Sequence, residues 1–145
     1  MKNILLVLAI SSLALAVGGA GCINPRNRAP VDEDTVEVLP ISRELQFDDI
    51  PVPDGFLHDE TNSYTYEIDN FRNCELFYSG KSRTEAVLNF YKEQMPISNW
   101  KFESRIGRYR KTLTFTKGSE VCTVDVEKDA GKTFVTIRVV NRDAP

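Results

Sequence analysis

The chain has 145 residues, of which 41% are hydrophobic and 10% aromatic, and its formal net charge is −3. A chain of this length and hydrophobic content can bury the core of one domain and is short for two. The acidic balance excludes a general basic field that would hold a nucleic acid, so no nucleic-acid partner is expected.

The N-terminal residues have the pattern of an export signal. Lys2 precedes an apolar run from Ile4 to Val17, and small residues follow the run up to Cys22. The run is shorter than the roughly 20 apolar residues that a membrane-spanning helix needs, so we expect cleavage rather than permanent insertion. We therefore predict a signal peptide over residues 1–21.

The four residues that end this segment resemble the lipobox of bacterial lipoproteins. Ala20, Gly21 and Cys22 match its ending of two small residues and a cysteine, whereas Gly19 stands where an aliphatic residue is usual. The resemblance implies that Cys22 becomes the mature N-terminus and carries diacylglycerol and palmitate chains, and several chains together anchor a protein firmly. An ordinary signal peptide cut after Ala20 is the alternative. Ile23 after the cysteine, in place of aspartate, favours the outer membrane, facing the periplasm, if the cell is Gram-negative.

A polar stretch that contains proline follows Cys22. Residues 24–30 read NPRNRAP, and an acidic run occupies residues 32–34. Such a composition cannot bury enough apolar surface to order itself, so residues 22–46 are predicted to form a flexible tether. The folded domain is predicted to occupy residues 47–142.

The remaining chain predicts an α+β domain with the order β-β-α-β-β-β-β. The single helix is expected between a Ser82–Glu85 capping box and Pro96, with apolar residues at helical spacing. Asn99 is expected in a left-handed turn before Trp100. We predict an antiparallel sheet of about five to six strands with the helix packed on one face. Alternating apolar residues place the strands at residues 63–68, 72–79, 100–104, 111–117, 121–127 and 133–140.

Cys74 and Cys122 are the cysteines that are left if Cys22 is acylated. Both occupy the apolar phase of a predicted strand, so both are expected to face the core. An exported domain permits a disulfide between them. Two separate buried thiols are the alternative, because facing one core does not by itself bring two Cα atoms within bonding range.

Residue types that carry catalysis or bind transition metals are scarce. His58 is the one histidine, and the sequence has no Cys-x-x-Cys or His-Glu-x-x-His motif. The acidic pairs Asp48–Asp49 and Asp59–Glu60 lie in loop-like sequence, which is typical of solvated charge. We therefore expect no metal site, no cofactor and no enzymatic activity.

Two groups of residues are candidates for binding. The first is a cationic hairpin tip, which is expected to contact anionic lipid headgroups or cell-wall polymers. The alternative is a solvated hairpin whose charges keep a strand edge from pairing with another chain. The hairpin tip consists of Arg105, Arg108, Arg110 and Lys111. The second is a set of aromatic residues, which are expected either to line a pocket between helix and sheet or to form ordinary core. Phe77 alternates out of phase with its neighbours and is expected to face a partner or a second packed layer. The full set is Tyr64, Tyr66, Phe77, Tyr78, Phe90, Tyr91 and Trp100.

Four short motifs stand out over about residues 50–140: Pro51-x-Pro53-x-Gly55-Phe56, Tyr78-x-Gly80, Phe90-Tyr91-x-x-x-Met95-Pro96 and Trp100. Together they resemble a family of uncharacterised small bacterial envelope lipoproteins. Asn99 stands where these relatives commonly have a glycine before the tryptophan. The resemblance implies an envelope location and this fold, and it implies no active site.

These features predict a protein that is held at the cell envelope by its N-terminal lipid. Its non-catalytic domain is expected to bind or scaffold an envelope protein or a cell-wall polymer. The alternative is a carrier of a small ligand in an aromatic pocket between helix and sheet.

Overall fold

The computed structural model describes residues 37–69 and 71–142. The predicted signal peptide, Cys22 and the first part of the predicted tether lie outside these residues, as does Asn70. In the described part, no helix combines the length and the hydropathy needed to cross a bilayer.

Seven strands and one α-helix make up the described part of the chain. The predicted α+β class and the order of the elements are confirmed, and the short first strand is an addition. β1 spans Leu57–His58, β2 Tyr64–Ile68 and β3 Phe71–Gly80. α1 spans Thr84–Gln94 and continues into a 3-10 turn over Met95–Ser98. The last four strands are β4 Lys101–Ile106, β5 Lys111–Lys117, β6 Glu120–Asp129 and β7 Lys132–Asn141.

The strands form one antiparallel sheet in the order β1-β3-β7-β6-β5-β4. β2 pairs with the same edge of β3 as β1 does, because β2 lies opposite Phe71–Glu75 and β1 lies opposite Tyr78–Ser79. β4 forms the other edge of the sheet. The segment that contains α1 connects β3 to β4, so the chain crosses the sheet between these two strands.

The core lies between the helix and one face of the sheet. Along β3, the even-numbered residues from Arg72 to Gly80 are buried, and the residues between them are half-buried, because successive side chains point to opposite faces. Val124 and Ile137 continue the buried layer on β6 and β7. Tyr91 of α1 packs into it without any exposed surface. We call the opposite side of the sheet, which no described element covers, the open face.

The start of α1 differs from the prediction, and its end agrees with it. No described side chain caps the helix, so the Ser82–Glu85 capping box is wrong. The Ser82 hydroxyl donates instead to Glu37 Oε1 at 2.9 Å, and the Glu85 carboxylate pairs with Arg105. Asn99 has a φ of 65° in the predicted left-handed turn.

The domain begins earlier than predicted. Residues 37–49, which we call the strap, lie against the sheet, and Leu39, Leu45 and Phe47 pack on the core. The amide of Ser42 donates to the carbonyl of Val52 at 2.8 Å. The tether boundary at residue 46 is therefore wrong. Widely spaced apolar side chains of the strap pack against the core, although the sequence around them is polar.

Candidate functional site

Four charged residues join the strap to the sheet. The Arg72 guanidinium donates to both carboxylate oxygens of Asp49, at 2.8 and 3.0 Å, and to both oxygens of Glu120, at 2.9 Å each. Lys117 Nζ donates to Asp49 Oδ2 at 2.8 Å. We call these four residues the Arg72 cluster.

The charged groups of the Arg72 cluster pair with one another. Burial alone would raise the pKa of Asp49, but hydrogen bonds from Arg72 and Lys117 outweigh it and lower this pKa from 3.8 to about 2. The backbone carbonyl of Asp49 also accepts a hydrogen bond from Trp100 Nε1 at 2.9 Å. Asp49 is therefore a structural ion-pair partner and not the solvated charge that its acidic neighbourhood suggested.

The cations predicted to share a hairpin tip are divided between two sides of the sheet. Arg105 and Lys111 both pair with Glu85 of α1, on the helix side. Arg110 instead donates to Glu127 at 3.0 Å. Only Arg108 of the four has no carboxylate partner among the described residues; its guanidinium lies 5.8 Å from the centre of the Tyr109 ring. The structure does not bring the four cations together as one positive surface.

The two cysteines of the domain lie on either side of one strand. Cys74 and Cys122 are both cross-strand partners of Val139 on β7. Two strand spacings therefore separate their Cα atoms by roughly 9.5 Å, beyond the reach of a disulfide. Both are free, buried thiols, and burial raises the pKa of each. The disulfide alternative is wrong for this reason.

The aromatic residues do not line one pocket. Tyr78, Phe90, Tyr91 and Trp100 are buried in the core between helix and sheet. The other three are Tyr64, Tyr66 and Phe77, which lie in the strand phase that faces the open face. A pocket lined by all seven is therefore wrong, because strand alternation sends the two groups to opposite sides.

Two hydroxyl groups within the core lack hydrogen-bond partners among the described residues. They belong to Tyr78 and Tyr91, and both ring nitrogens of His58 are likewise buried without a partner. The His58 ring lies 4.9 Å from the Tyr78 ring, centre to centre. Burial raises the pKa of Tyr78 to about 12 and that of Tyr91 well above its usual value, so both remain neutral hydroxyls.

The open face contains a cavity of about 480 Å³. Phe77 of β3 and Phe134 of β7, both half-buried, form an aromatic floor. Asp59, from the loop between β1 and β2, lines one part of the cavity. Arg110 and Glu127 line another part. We call this site the open-face cavity.

Ion pairs organise the charged lining of the open-face cavity. Arg138 donates to Glu75 Oε1 at 2.6 Å and to Asp125 Oδ2 at 2.7 Å. Arg110 is held by Glu127. The Asp59 carboxylate instead accepts hydrogen bonds from the backbone and the side-chain amide of Asn62, at 3.2 and 2.7 Å, which lower its pKa.

Sequence reasoning found this cavity only in part. Phe77 was singled out by its phase, and the same signal applies to Phe134, which alternates out of phase with the buried Val135 and Ile137. Asp59 carried no such signal, since an aspartate in a turn is most often solvated. In the described part of the chain, no group of three or more His, Cys, Asp or Glu residues is arranged to hold a metal ion.

Comparison with known proteins gives a match to a protein-family model. Residues 63–132 match a family model described as START domain-like. The matched stretch runs from the residue before β2 to the first residue of β7. START-like domains are generally non-catalytic binding domains, so the similarity indicates a ligand-binding or scaffolding domain. No curated protein and no solved structure matches the chain.

Proposed function

We propose that this protein is an envelope lipoprotein, anchored by lipid on Cys22, whose domain binds a partner and catalyses no reaction. The observation that supports the binding role best is the open-face cavity, a concave site with an aromatic floor and convergent polar groups. The START-like similarity supports the same role. The partner is an envelope protein or a cell-wall polymer, met on the periplasmic side of the outer membrane if the cell is Gram-negative.

The pKa values of Asp49 and Asp59 disfavour a role for these two carboxylates as a general acid or base. A general acid or base works best when its pKa lies near the working pH. The pKa of Asp49 is lowered to about 2, and the pKa of Asp59 is also lowered. Both carboxylates therefore stay ionised near neutral pH and serve as fixed negative charges.

The anchor is tested by metabolic labelling with an alkyne analogue of palmitate. We expect the wild-type chain to incorporate the label and to partition with membranes, and Cys22→Ala to do neither. Cys74→Ala is the matched control, because it removes a buried thiol and leaves the proposed anchor intact. An unlabelled wild-type chain, or equal membrane partitioning of Cys22→Ala, would remove the anchor from the proposal.

A second candidate function is that of a small-ligand carrier with its site between helix and sheet. The unpartnered hydroxyls of Tyr78 and Tyr91 favour it. A buried hydroxyl without a hydrogen bond costs roughly 1–3 kcal/mol, and a polar group of a bound ligand would remove that cost.

The carrier function predicts that Tyr91→Phe destabilises the chain as extracted from cells. The variant would lose the hydrogen bond to the ligand, so its free energy of unfolding should fall by about 1 kcal/mol. Urea denaturation measures this change, and Tyr66→Phe, at a side chain 53% exposed, is the control that should leave stability unchanged. If Tyr91→Phe is as stable as the wild type or more stable, the hydroxyl has no partner and the carrier function is contradicted.

A further inference from the structure

The two arginines of the open-face cavity offer no free positive charge to a ligand. Arg138 is shared by Glu75 and Asp125, and Arg110 is taken by Glu127. A negatively charged ligand would have to displace a carboxylate from either of them. The ion pairs therefore disfavour an anion.

Asp59 is the negative charge in this lining that remains uncompensated. No described lysine or arginine pairs with it; its carboxylate is oriented by two hydrogen bonds from Asn62. The loop that carries it is fixed to the cavity floor, because the Asp59 amide donates to the carbonyl of Phe77 at 2.8 Å. The amide of Phe77 in turn donates to Ser63 Oγ at 2.9 Å. A ligand therefore meets a positioned carboxylate beside an aromatic ring.

The residues around Asp59 favour an organic cation over a metal ion. Phe77 and Phe134 offer aromatic surfaces, and an aromatic face attracts a cation and also packs against an apolar group. The described carboxylates do not form a set that could hold a metal ion. An organic cation can interact with both features of the cavity, because its charge can pair with Asp59 and its carbon skeleton can pack on the aromatic floor.

We propose that the open-face cavity binds a protonated amine or guanidinium group that is attached to an apolar group. This inference rests on the proposed function, of which it names the ligand class. The group comes either from a free amine or from a lysine or arginine side chain of a protein partner. Asp59 pairs with the charge, and Phe77 and Phe134 hold the apolar part.

The charge preference is tested with three probes that share a phenethyl group and differ in the charge of the group attached to it: phenethylammonium, 3-phenylpropanamide and 3-phenylpropionate. Saturation-transfer NMR detects their binding to the full-length chain in detergent micelles. We expect phenethylammonium to bind about 2- to 5-fold more tightly than the amide, because a charge pair at an exposed carboxylate adds only a modest amount to the contact with the aromatic floor. The carboxylate probe should bind most weakly.

Two variants test the assignment to Asp59. Asp59→Asn should remove most of the advantage of phenethylammonium over the amide, whereas Glu60→Gln, the same charge change in the same loop but outside the cavity lining, should preserve it. Arg110→Gln frees the carboxylate of Glu127 and should tighten phenethylammonium binding about 2- to 5-fold. Tighter binding of phenethylammonium would not result from a damaged fold. Arg110→Gln therefore still tests the proposal if Asp59→Asn is unstable.

The source of the cation is tested by competition. An acetylated, amidated Phe-Lys dipeptide presents the same chemistry as a protein partner would. We expect it to displace phenethylammonium, and the ratio of the two affinities shows whether a peptide side chain or a free amine suits the cavity better.

The outcomes separate this inference from the proposed function. Equal binding of phenethylammonium and the amide, or an unchanged preference in Asp59→Asn, would overturn the choice of a cation and leave the open-face cavity as a binding site. Absence of saturation transfer to all three probes would overturn the cavity as a small-molecule site and the cation inference with it.

Discussion

Arg72 connects parts of the chain that no local pattern relates. Its partners Asp49 and Glu120 lie 23 and 48 residues away in sequence, and its side chain is only 11% exposed. A buried guanidinium is tolerated because it donates four hydrogen bonds to the oxygens of two carboxylates. The sequence showed an aspartate pair in a loop and an arginine at the start of a strand, so it predicted solvated charge where the fold makes an ion-pair cluster.

The Arg72 cluster predicts a specific acid sensitivity. The pKa of Asp49 is lower in the folded state, about 2, than its ordinary 3.8, so the cluster stabilises the fold fully above about pH 4 and loses this contribution as the pH falls towards 2. Between about pH 5 and pH 2, the wild type should lose about 2 kcal/mol more stability than Asp49→Asn. Urea denaturation at each pH measures the difference.

Asp48→Asn is the control for the same charge change one residue away. Asp48 is exposed, so this variant should keep the acid sensitivity of the wild type. If Asp49→Asn and the wild type lose stability in parallel over this pH range, the Arg72 cluster does not stabilise the fold through Asp49.

At the scale of elements, residues of the four short motifs identified in the sequence prove to be packing contacts. Phe56 of the first motif lies against Gly80 of the second: a Cβ added to Gly80 would lie 2.6 Å from the Phe56 ring. Gly80 does not have a positive φ, so space and not backbone conformation requires glycine there. Trp100 and Met95 of the later motifs are both buried in the core. These motif residues therefore contribute to the packing of the domain.

Gly80→Ala should lower the free energy of unfolding by about 2 kcal/mol, because the new methyl group overpacks the ring of Phe56. Urea denaturation measures the loss. In the double variant Gly80→Ala with Phe56→Leu, the smaller side chain makes room for the methyl group, so the total loss should be less than the sum of the two single losses. Additive losses of stability would show that the side chains at positions 56 and 80 do not interact.

The elements themselves were largely predictable, because alternation along a strand and helical spacing are local patterns. β5, at Lys111–Lys117, has the predicted bounds. The left-handed turn at Asn99 was also foreseen, since that backbone conformation suits few residues other than glycine and asparagine. The capping box failed because Ser82 has a competing partner, Glu37, from a segment 45 residues away. Local patterns cannot show such long-range competition.

At the scale of the whole molecule, the sheet has one face covered by the helix and the strap and one face that no described element covers. The helix and the strap cover one face with apolar side chains, whereas the open face carries ion pairs such as Glu75–Arg138 around an aromatic floor. The register explains why the sequence did not predict the second face. Glu75 and Arg138 are cross-strand partners only because β3 pairs with β7, which is the last strand in sequence. A charged residue in a predicted strand therefore indicated that its side chain is exposed, but it did not indicate which charged residue it pairs with.

The strap lies on the covered face, and this predicts unequal effects at two adjacent residues. Leu39 is partly buried against the core, whereas Val38 is 79% exposed. Leu39→Ser should lower the free energy of unfolding by about 1–2 kcal/mol, and Val38→Ser should change it by less than about 0.5 kcal/mol. Urea denaturation of the full-length chain measures both. If these residues belonged to a tether, neither substitution would matter, so equal stabilities of the two variants would move the start of the domain back towards Phe47.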